Sequence, residues 1–513
     1  MESSNDKNKR IAKNTLFLYA RMLISLIISL FTARVILETL GVKDYGVYTV
    51  VGGVVAMFTF INSSMAGATS RFLNYEMGKD NKTELNTVFN CALLIHIGLA
   101  LLIIAVAETI GLWFLNHKLV IPQDSIYAAN WVYQLSIASA FLSITQAPYQ
   151  ASVIAEEKMS IYAYFDISNT ILKLLIVYLL IVIPGNKLII YGILTFALSA
   201  LYIITYRLYC IKKFPYCRIS FSALKGHKVK KMLSFSGWDL YGNMSVMART
   251  QGISMLANIF FGTIANAAIG IANSLQAALN GFATNVTLAM KPQIIKSYAS
   301  GEYEYMQKLL FRGAKFSFLI LLTLSLPVLI ETPFILKLWL GEIPEYTVWI
   351  SRWTIAFIFF SNMSYVLVTG VHATGNVKGP SLINGTLYLL VIPITYIAYK
   401  YNLSIYTPFI LNVLFVFIGS LMNLIYTKKY VQDLSLKVYI THVLGPCLMV
   451  MVLSAVLPIL INYTLSSGWL RFGIVTITSI ICSIVFGFYF AMNKSERAFA
   501  LTQVKKILQK FKN

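Results

Sequence analysis

Apolar segments of about 20 residues recur along the whole chain, and each is long enough to cross the hydrocarbon core of a bilayer as a helix. The chain has 513 residues, of which 58% are hydrophobic and only 12% are charged. So few charged residues cannot cover the surface of a water-soluble protein of this length. We therefore predict an all-α, polytopic membrane protein.

Hydropathy and turn residues predict fourteen transmembrane helices. They lie near residues 14–37, 45–70, 88–115, 128–149, 162–183, 188–208, 232–260, 265–290, 315–337, 348–371, 381–400, 404–427, 438–463 and 470–491. The longest predicted loops have roughly 25 residues, which is too short for a separate soluble domain. We therefore expect any chemistry to take place within the helices or at their ends.

Basic residues indicate how the predicted helices are oriented. With a cytoplasmic N-terminus, the inner segments hold about 31 of the 42 Lys and Arg residues and the outer segments about 6, as the positive-inside rule requires. The densest basic stretch is residues 207–231, which contains no acidic residue. The net charge of +22 thus reflects the inner loops, and we expect no nucleic-acid partner. Both termini are predicted to be cytoplasmic.

A weak internal repeat relates the two halves of the chain. The sequence separation of Gly41 and Gly262 is called the repeat offset. A shift of the chain by this offset also places Arg71, at the end of the second predicted span, over Pro292 at the end of the eighth. The repeat predicts two six-helix bundles followed by two C-terminal helices, with the boundaries 1–222, 223–434 and 435–513. Because six is even, the two bundles would face the same way, and a substrate site is expected between them near the midplane.

Ionisable side chains inside the predicted spans are few, and each costs at least a few kcal/mol unless it meets a cavity or a partner. The candidate substrate-binding residues are cations and amides, namely Arg21, Lys173, Arg249, Asn273, Gln276 and Asn280. The candidate coupling or gating residues are Asp166 and Asp239. The alternative is that Asp166 pairs with Lys173, and Asp239 with Arg249, in structural ion pairs between helices.

Cations outnumber acids among these residues, which favours an anionic ligand. A guanidinium group suits phosphate because its planar fork of donors binds two oxygens at once. The sequence contains no GxxxxGK[ST] loop for ATP and no histidines at metal-ligand spacing. We therefore expect a transporter without cofactor or metal rather than an enzyme.

Three short stretches resemble a known family. The opening NTLFLYARMLISLIISLFTARVILETLGVKDYGVY has an arginine in the first span and the pattern LG-x3-YG-x-Y after it. The second span ends with MAGATSRFLNYEMGKDN, and the tenth ends with VTGVHATGNVKGP. In these features the chain resembles the Wzx-type polysaccharide flippases of the multidrug, oligosaccharidyl-lipid and polysaccharide (MOP) exporter superfamily, which have a MATE-like fold.

The resemblance implies a bacterial inner-membrane flippase that works by alternating access. Its substrate would be an undecaprenyl-diphosphate-linked oligosaccharide, moved from the cytoplasmic to the periplasmic leaflet for O-antigen, capsule or exopolysaccharide assembly. The partners it implies are membrane lipid, a polysaccharide polymerase and a chain-length regulator. The family's cation-lined cavity would correspond to Arg21, Lys173 and Arg249.

Three other functions are weighed against this one. Sequence alone distinguishes poorly between a lipid II flippase and the oligosaccharide flippase described above. A MATE-type cation-coupled drug exporter would need an acidic cavity, which the excess of cations disfavours. A polytopic polysaccharide polymerase would be expected to have a long periplasmic loop, and the predicted loops are short.

The predicted orientation can be tested by labelling single cysteines from outside intact cells. Because inner loops carry most of the basic residues, Lys225→Cys should be protected, whereas Gly185→Cys and Glu342→Cys should react. Labelling of Lys225→Cys by a membrane-impermeant maleimide would show that the predicted orientation is wrong.

Overall fold

The computed structural model describes residues 4–117, 121–431, 434–494, 496–498 and 501–502. Within these residues the chain forms helices and turns and contains no β-strand. The α-helices are α1 Ser4–Gly78, α2 Lys82–Val106, α3 Leu112–His117, α4 Ile126–Ala155, α5 Met159–Val182, α6 Lys187–Lys213, α7 Gly226–Ala299, α8 Tyr303–Ile330, α9 Thr332–Leu340, α10 Thr347–Thr374, α11 Lys378–Lys400, α12 Thr407–Tyr430, α13 Leu436–Tyr439, α14 Gly445–Thr464 and α15 Trp469–Phe486. The predicted all-α class is confirmed.

Ten helical segments in the described part of the chain are long and apolar enough to cross a membrane. They are Asp6–Ser29 within α1, Lys82–His117, α5, α6, α8, α10, α11, α12, Leu436–Thr464 and Trp469–Ala491. α4 and α7 are not among them. The chain is thus a multi-pass membrane protein, and the number fourteen stays a prediction.

Contacts divide the chain into two compact units. Unit 1 consists of the described residues of 1–240 together with Lys291–Glu302. Unit 2 consists of Tyr241–Met290 together with the described residues of 303–513. Helix α7 therefore begins in unit 1, continues through unit 2 and ends in unit 1.

Each unit has a buried apolar core between its helices. In unit 1, one buried cluster includes Tyr133 of α4, Val51 of α1 and Leu188 of α6. The Tyr133 hydroxyl donates a 2.7 Å hydrogen bond to the carbonyl of Ala107, so its polar atom is satisfied where no water reaches it. In unit 2 the corresponding core joins α7, α10, α11 and α12 around the buried Ile350.

The helices of the two units follow the repeat offset. α2 begins at Lys82 and α8 at Tyr303, while α4 begins at Ile126 and α10 at Thr347. Each of these pairs has the same separation in sequence as Gly41 and Gly262. The repeat that the sequence shows weakly is therefore also present in the positions of the helices.

The repeat offset also relates two backbone breaks. α1 is interrupted at Gly41, with φ 76° and ψ 166°, and α7 at Gly262, with φ 77° and ψ −167°. This region of φ and ψ is essentially restricted to glycine, because a Cβ atom would collide with the backbone. Gly41 lies between the first and second predicted spans, and Gly262 lies between the seventh and eighth.

Charged groups of α8, and of the residue that follows it, contact the C-terminal part of the chain. Beyond the C-terminal end of α8, the fully buried Glu331 accepts hydrogen bonds of 2.8 Å from Arg471 and from Asn462. Near the middle of α8, the buried Lys315 contacts Glu496, which lies beyond α15, at 2.7 Å. Because an unpaired charge is costly away from water, these pairs hold α14 and α15 to unit 2.

The breaks can be tested by giving one of them a side chain. Gly262→Ala should destabilise the protein by about 1–3 kcal/mol, because alanine is strained at this φ and ψ. The matched control is Gly270→Ala, which lies in a regular part of α7 with open space around its Cα. Thermal unfolding in detergent should show a lower midpoint for the first variant only. Equal midpoints would contradict the assigned break.

Candidate functional site

The Arg249 side chain lies in unit 2 between two aromatic rings. Only 7% of the residue is exposed, and its guanidinium carbon lies 4.6 Å from the ring centroid of Phe357 and 4.5 Å from that of Tyr388. Nη1 donates a 3.4 Å hydrogen bond to Oδ1 of Asn412, and the buried Nε has no hydrogen-bond partner. The rings stabilise the cation through their negative faces but accept no conventional hydrogen bonds.

A cavity of about 410 Å³ adjoins Arg249. It brings together four of the six predicted substrate-binding residues, because Asn273, Gln276 and Asn280 line it with Arg249. The remaining lining is Val246, Thr250, Ile253, Ile269, Ala277, Trp353, Thr354, Phe357, Phe409 and Asn412. Arg249 is the only charged residue among these described lining residues. The cavity is therefore cationic, with amides and aromatic rings around the charge.

The break at Gly262 explains why residues far apart along α7 reach one cavity. α7 reverses direction there, and Ser254 before the break hydrogen-bonds to Oδ1 of Asn266 after it, at 3.4 Å. The two arms of α7 consequently run side by side. Arg249 on the first arm and Asn273 on the second then face the same space.

Two asparagines on other helices complete the site and were not singled out from the sequence. Asn362 of α10 is buried and donates a 2.8 Å hydrogen bond to Oδ1 of Asn280, which fixes that amide. Asn412 of α12 contacts Arg249. Neither belongs to a run of closely spaced amides like Asn273, Gln276 and Asn280, so amide spacing in the sequence gives no signal for either.

Arg21 lies in unit 1 and has a different environment. Its Nη1 contacts Oδ2 of Asp166 at 2.9 Å, and its guanidinium carbon lies 5.1 Å from the Tyr162 ring centroid. Ser25 donates a 3.4 Å hydrogen bond to the same carboxylate oxygen. The charge of Arg21 is thus matched by an acid on α5, unlike that of Arg249.

The other predicted site residues also lie in unit 1. Lys173 is exposed on α5, two turns after Asp166, and forms no ion pair with the described residues. The cation that contacts Asp166 is therefore Arg21. Asp239 lies near α1, with Oδ2 3.8 Å from the position that a Cβ atom on Gly67 would take. The roles of these residues in binding, coupling or gating stay predictions.

Comparisons with known proteins give no family by sequence. No family model matches the chain, and no curated protein matches it at a significant level. Solved structures do match. An outward-facing multidrug resistance MATE family transporter of the MOP superfamily has a TM-score of 0.72 and 13% identity over 83% of this chain and 96% of its own. The fold is that of the MATE transporters.

Two further structures agree. MATE in complex with MaL6 has a TM-score of 0.69 and 13% identity, covering 82% of this chain and 96% of that one. A MOP superfamily transporter from Pyrococcus furiosus has a TM-score of 0.69 and 12% identity with the same coverage, and it is described as having a binding pocket of reverse polarity that suggests a different function. At these identities the likeness shows the MATE-like fold alone.

The pair of Arg21 and Asp166 can be tested by a double-mutant cycle. Arg21→Met should destabilise the protein by about 1–3 kcal/mol, because it leaves a half-buried carboxylate without its cation. Adding Asp166→Asn should recover most of the loss in thermal stability. The control is Glu304→Gln, which breaks an exposed pair with Lys308 on α8 and should leave the thermal stability nearly unchanged, because exposed ion pairs contribute little. Additive losses in the double variant would contradict the pair.

Proposed function

We propose that the protein is a flippase that moves undecaprenyl-diphosphate-linked oligosaccharides from the cytoplasmic to the periplasmic leaflet of the bacterial inner membrane, by alternating access. Both termini would be cytoplasmic. The observation that carries the proposal is the Arg249 cavity, whose described lining holds a cation and no acid. The transported unit would serve O-antigen, capsule or exopolysaccharide assembly.

The charge of Arg249 supports an anionic substrate. Its guanidinium is buried against rings, its one polar contact is long, and Nε has no hydrogen-bond partner. A buried donor without an acceptor costs on the order of 1–3 kcal/mol, which a phosphate oxygen in the cavity would recover. The sandwich of rings also restricts the side chain, so little entropy is lost when an anion binds.

The rest of the lining supports a substrate rich in hydroxyl groups. Asn273, Gln276, Asn280 and Asn412 each offer both donors and acceptors, as a glycan requires. Trp353 adds an aromatic surface to the same cavity. A site for cationic drugs would instead require acidic groups, which are absent from the described lining.

The fold supports transport over enzymatic chemistry. Its solved relatives include multidrug MATE transporters, and one relative with a pocket of reverse polarity is described as suggesting a different function. Pocket polarity is thus the feature that we use to choose a substrate class within this fold. Membrane lipid, a polysaccharide polymerase and a chain-length regulator are the partners that this function would require.

The proposal predicts a specific requirement for Arg249. Arg249→Ala should reduce glycan export at least about tenfold in a flippase-deficient strain, because one lost charge-assisted contact is worth roughly 1.5–3 kcal/mol. Arg249→Lys should retain part of the activity, since the charge survives without the bidentate fork. Membrane abundance should be unchanged in both.

The matched control is Arg352→Lys in the same unit. Arg352 donates to the carbonyl of Leu329 and does not line the cavity, so export should persist. Purified protein in liposomes should then move a polyprenyl-diphosphate oligosaccharide across the bilayer. Movement of lipid II alone would assign a lipid II flippase, and extrusion of a cationic dye alone would assign a MATE-type exporter. Either result would reject the proposed substrate.

A further inference from the structure

The C-terminal end of α7 lies in unit 1, although the chain on both sides of it belongs to unit 2. We call this stretch, Lys291–Glu302, the returning segment. The repeat offset makes it the counterpart of residues 70–81 at the end of α1. Two equivalent helix ends of the repeat are therefore found in the same unit.

Polar contacts around Glu157 hold the returning segment. Glu157 lies in the turn between α4 and α5 with a positive φ of 58°, and its side chain is only 1% exposed. Oε1 accepts hydrogen bonds of 2.6 Å from Gln293 and 2.8 Å from Lys296, both in the segment. Oε2 accepts a 2.7 Å hydrogen bond from Arg10 of α1. One carboxylate thus joins three parts of the chain.

The carboxylate is ionised at neutral pH. Burial raises the pKa of Glu157, but the charge of Lys296, the hydrogen bonds from Gln293 and Lys296, and the charge of Arg10 together hold the pKa below its usual value. A second ion pair joins Lys7 to Glu302 at the end of the segment, at 2.6 Å. Charged contacts therefore hold the middle and the end of the returning segment.

Close backbone packing adds to these contacts. A Cβ atom on Gly78 would lie 2.4 Å from the carbonyl oxygen of Lys296 and 2.7 Å from the Cβ atom of Ala299. Gly78 and Ala299 are equivalent under the repeat offset, and both are small. The helices approach this closely because Gly78 has no side chain.

We propose that the returning segment is a latch, which docks on Glu157 and Gly78 in one transport state and leaves unit 1 in the other. The inference rests on the proposed alternating access. After its break at Gly262, α7 continues as a helix to Ala299, so a displacement of the arm that ends at Met290 pulls on the returning segment. Ion pairs and a close contact at a glycine can separate and form again. At those points, separation does not break an apolar interface.

A competing arrangement follows from Pro292, which lies inside α7 at the start of the segment. Proline removes a helical hydrogen bond and permits a bend. If α7 bends there during transport, the segment stays in unit 1 throughout. The two arrangements differ in whether the buried face of the segment is ever exposed to solvent.

Ser297 reports that exposure directly. Its residue is 2% exposed and its hydroxyl has no hydrogen-bond partner, so Ser297→Cys should be tolerated. In native membranes open on the cytoplasmic face, maleimide should label this cysteine slowly, and the chain without the substitution gives the background. Glu157→Gln, Lys296→Met and Gly78→Val should each raise the rate at least about tenfold if the latch closes on these contacts.

Arg10→Met is the matched control for the charge. It removes another cation from the same carboxylate and changes no residue of the returning segment, so labelling should rise much less than in Lys296→Met. Glu304→Gln, in the exposed pair on α8, should leave the rate unchanged. If Ser297→Cys stays as protected in the Glu157, Lys296 and Gly78 variants as in the parent, the segment does not release and the latch is rejected.

Cross-linking tests whether release is needed for transport. Lys7→Cys and Glu302→Cys, joined by a short thiol-cleavable bis-maleimide, should lose at least about tenfold in glycan flipping and recover on cleavage. Full activity of the cross-linked protein would reject the latch. The labelling result needs no substrate, so a failed flipping assay with the predicted labelling pattern would reject the proposed function and leave the latch standing.

Discussion

The need to satisfy backbone hydrogen bonds without water governs the whole molecule. In hydrocarbon, each peptide group must bond within its own segment, and helices do this for every residue except at their ends. The described chain is accordingly a series of helices joined by short turns. Departures from helical geometry are costly there, so the breaks at Gly41 and Gly262 mark places where the fold requires a change of direction.

The break at Gly262 links the backbone constraint to the candidate site. It turns α7 back on itself, and side chains from both arms then share one cavity. Polar groups that would be expensive on a straight, lipid-facing helix are thereby placed around an interior space. α10 and α12 close the same space with Asn362 and Asn412. The cavity is consequently a product of helix direction as much as of residue type.

Three buried or half-buried charges show how differently the fold treats ionic groups. Arg249 is held by two rings and keeps donors available. Arg21 meets an acid on a neighbouring helix, and its net charge is cancelled. Glu157 accepts hydrogen bonds from two segments, α1 and the end of α7. Only the first arrangement leaves charge for a ligand, while the other two connect parts of the chain to each other.

The basic stretch at residues 207–231 also has a structural role. The sequence presents it as an inner loop that orients the spans. In the structure, Lys228 contacts Glu76 and Glu84 at 2.9 Å each, and the carbonyl of Arg218 accepts a hydrogen bond from Asn90. The segment is therefore bound to the ends of α1 and α2 rather than a free linker, which charge counting could not reveal.

Sequence alone determined the class, because recurring apolar runs of membrane length have no other stable arrangement in a chain so poor in charge. It also determined the internal repeat and the cluster of Asn273, Gln276 and Asn280, since helical periodicity places neighbours three and four residues apart on one face. It could not show which of the two arginines, Arg21 or Arg249, would lie beside an acidic residue. That depended on tertiary packing, which set Asp166 beside Arg21 and two aromatic rings beside Arg249, and such partners come from distant helices whose positions no local pattern encodes.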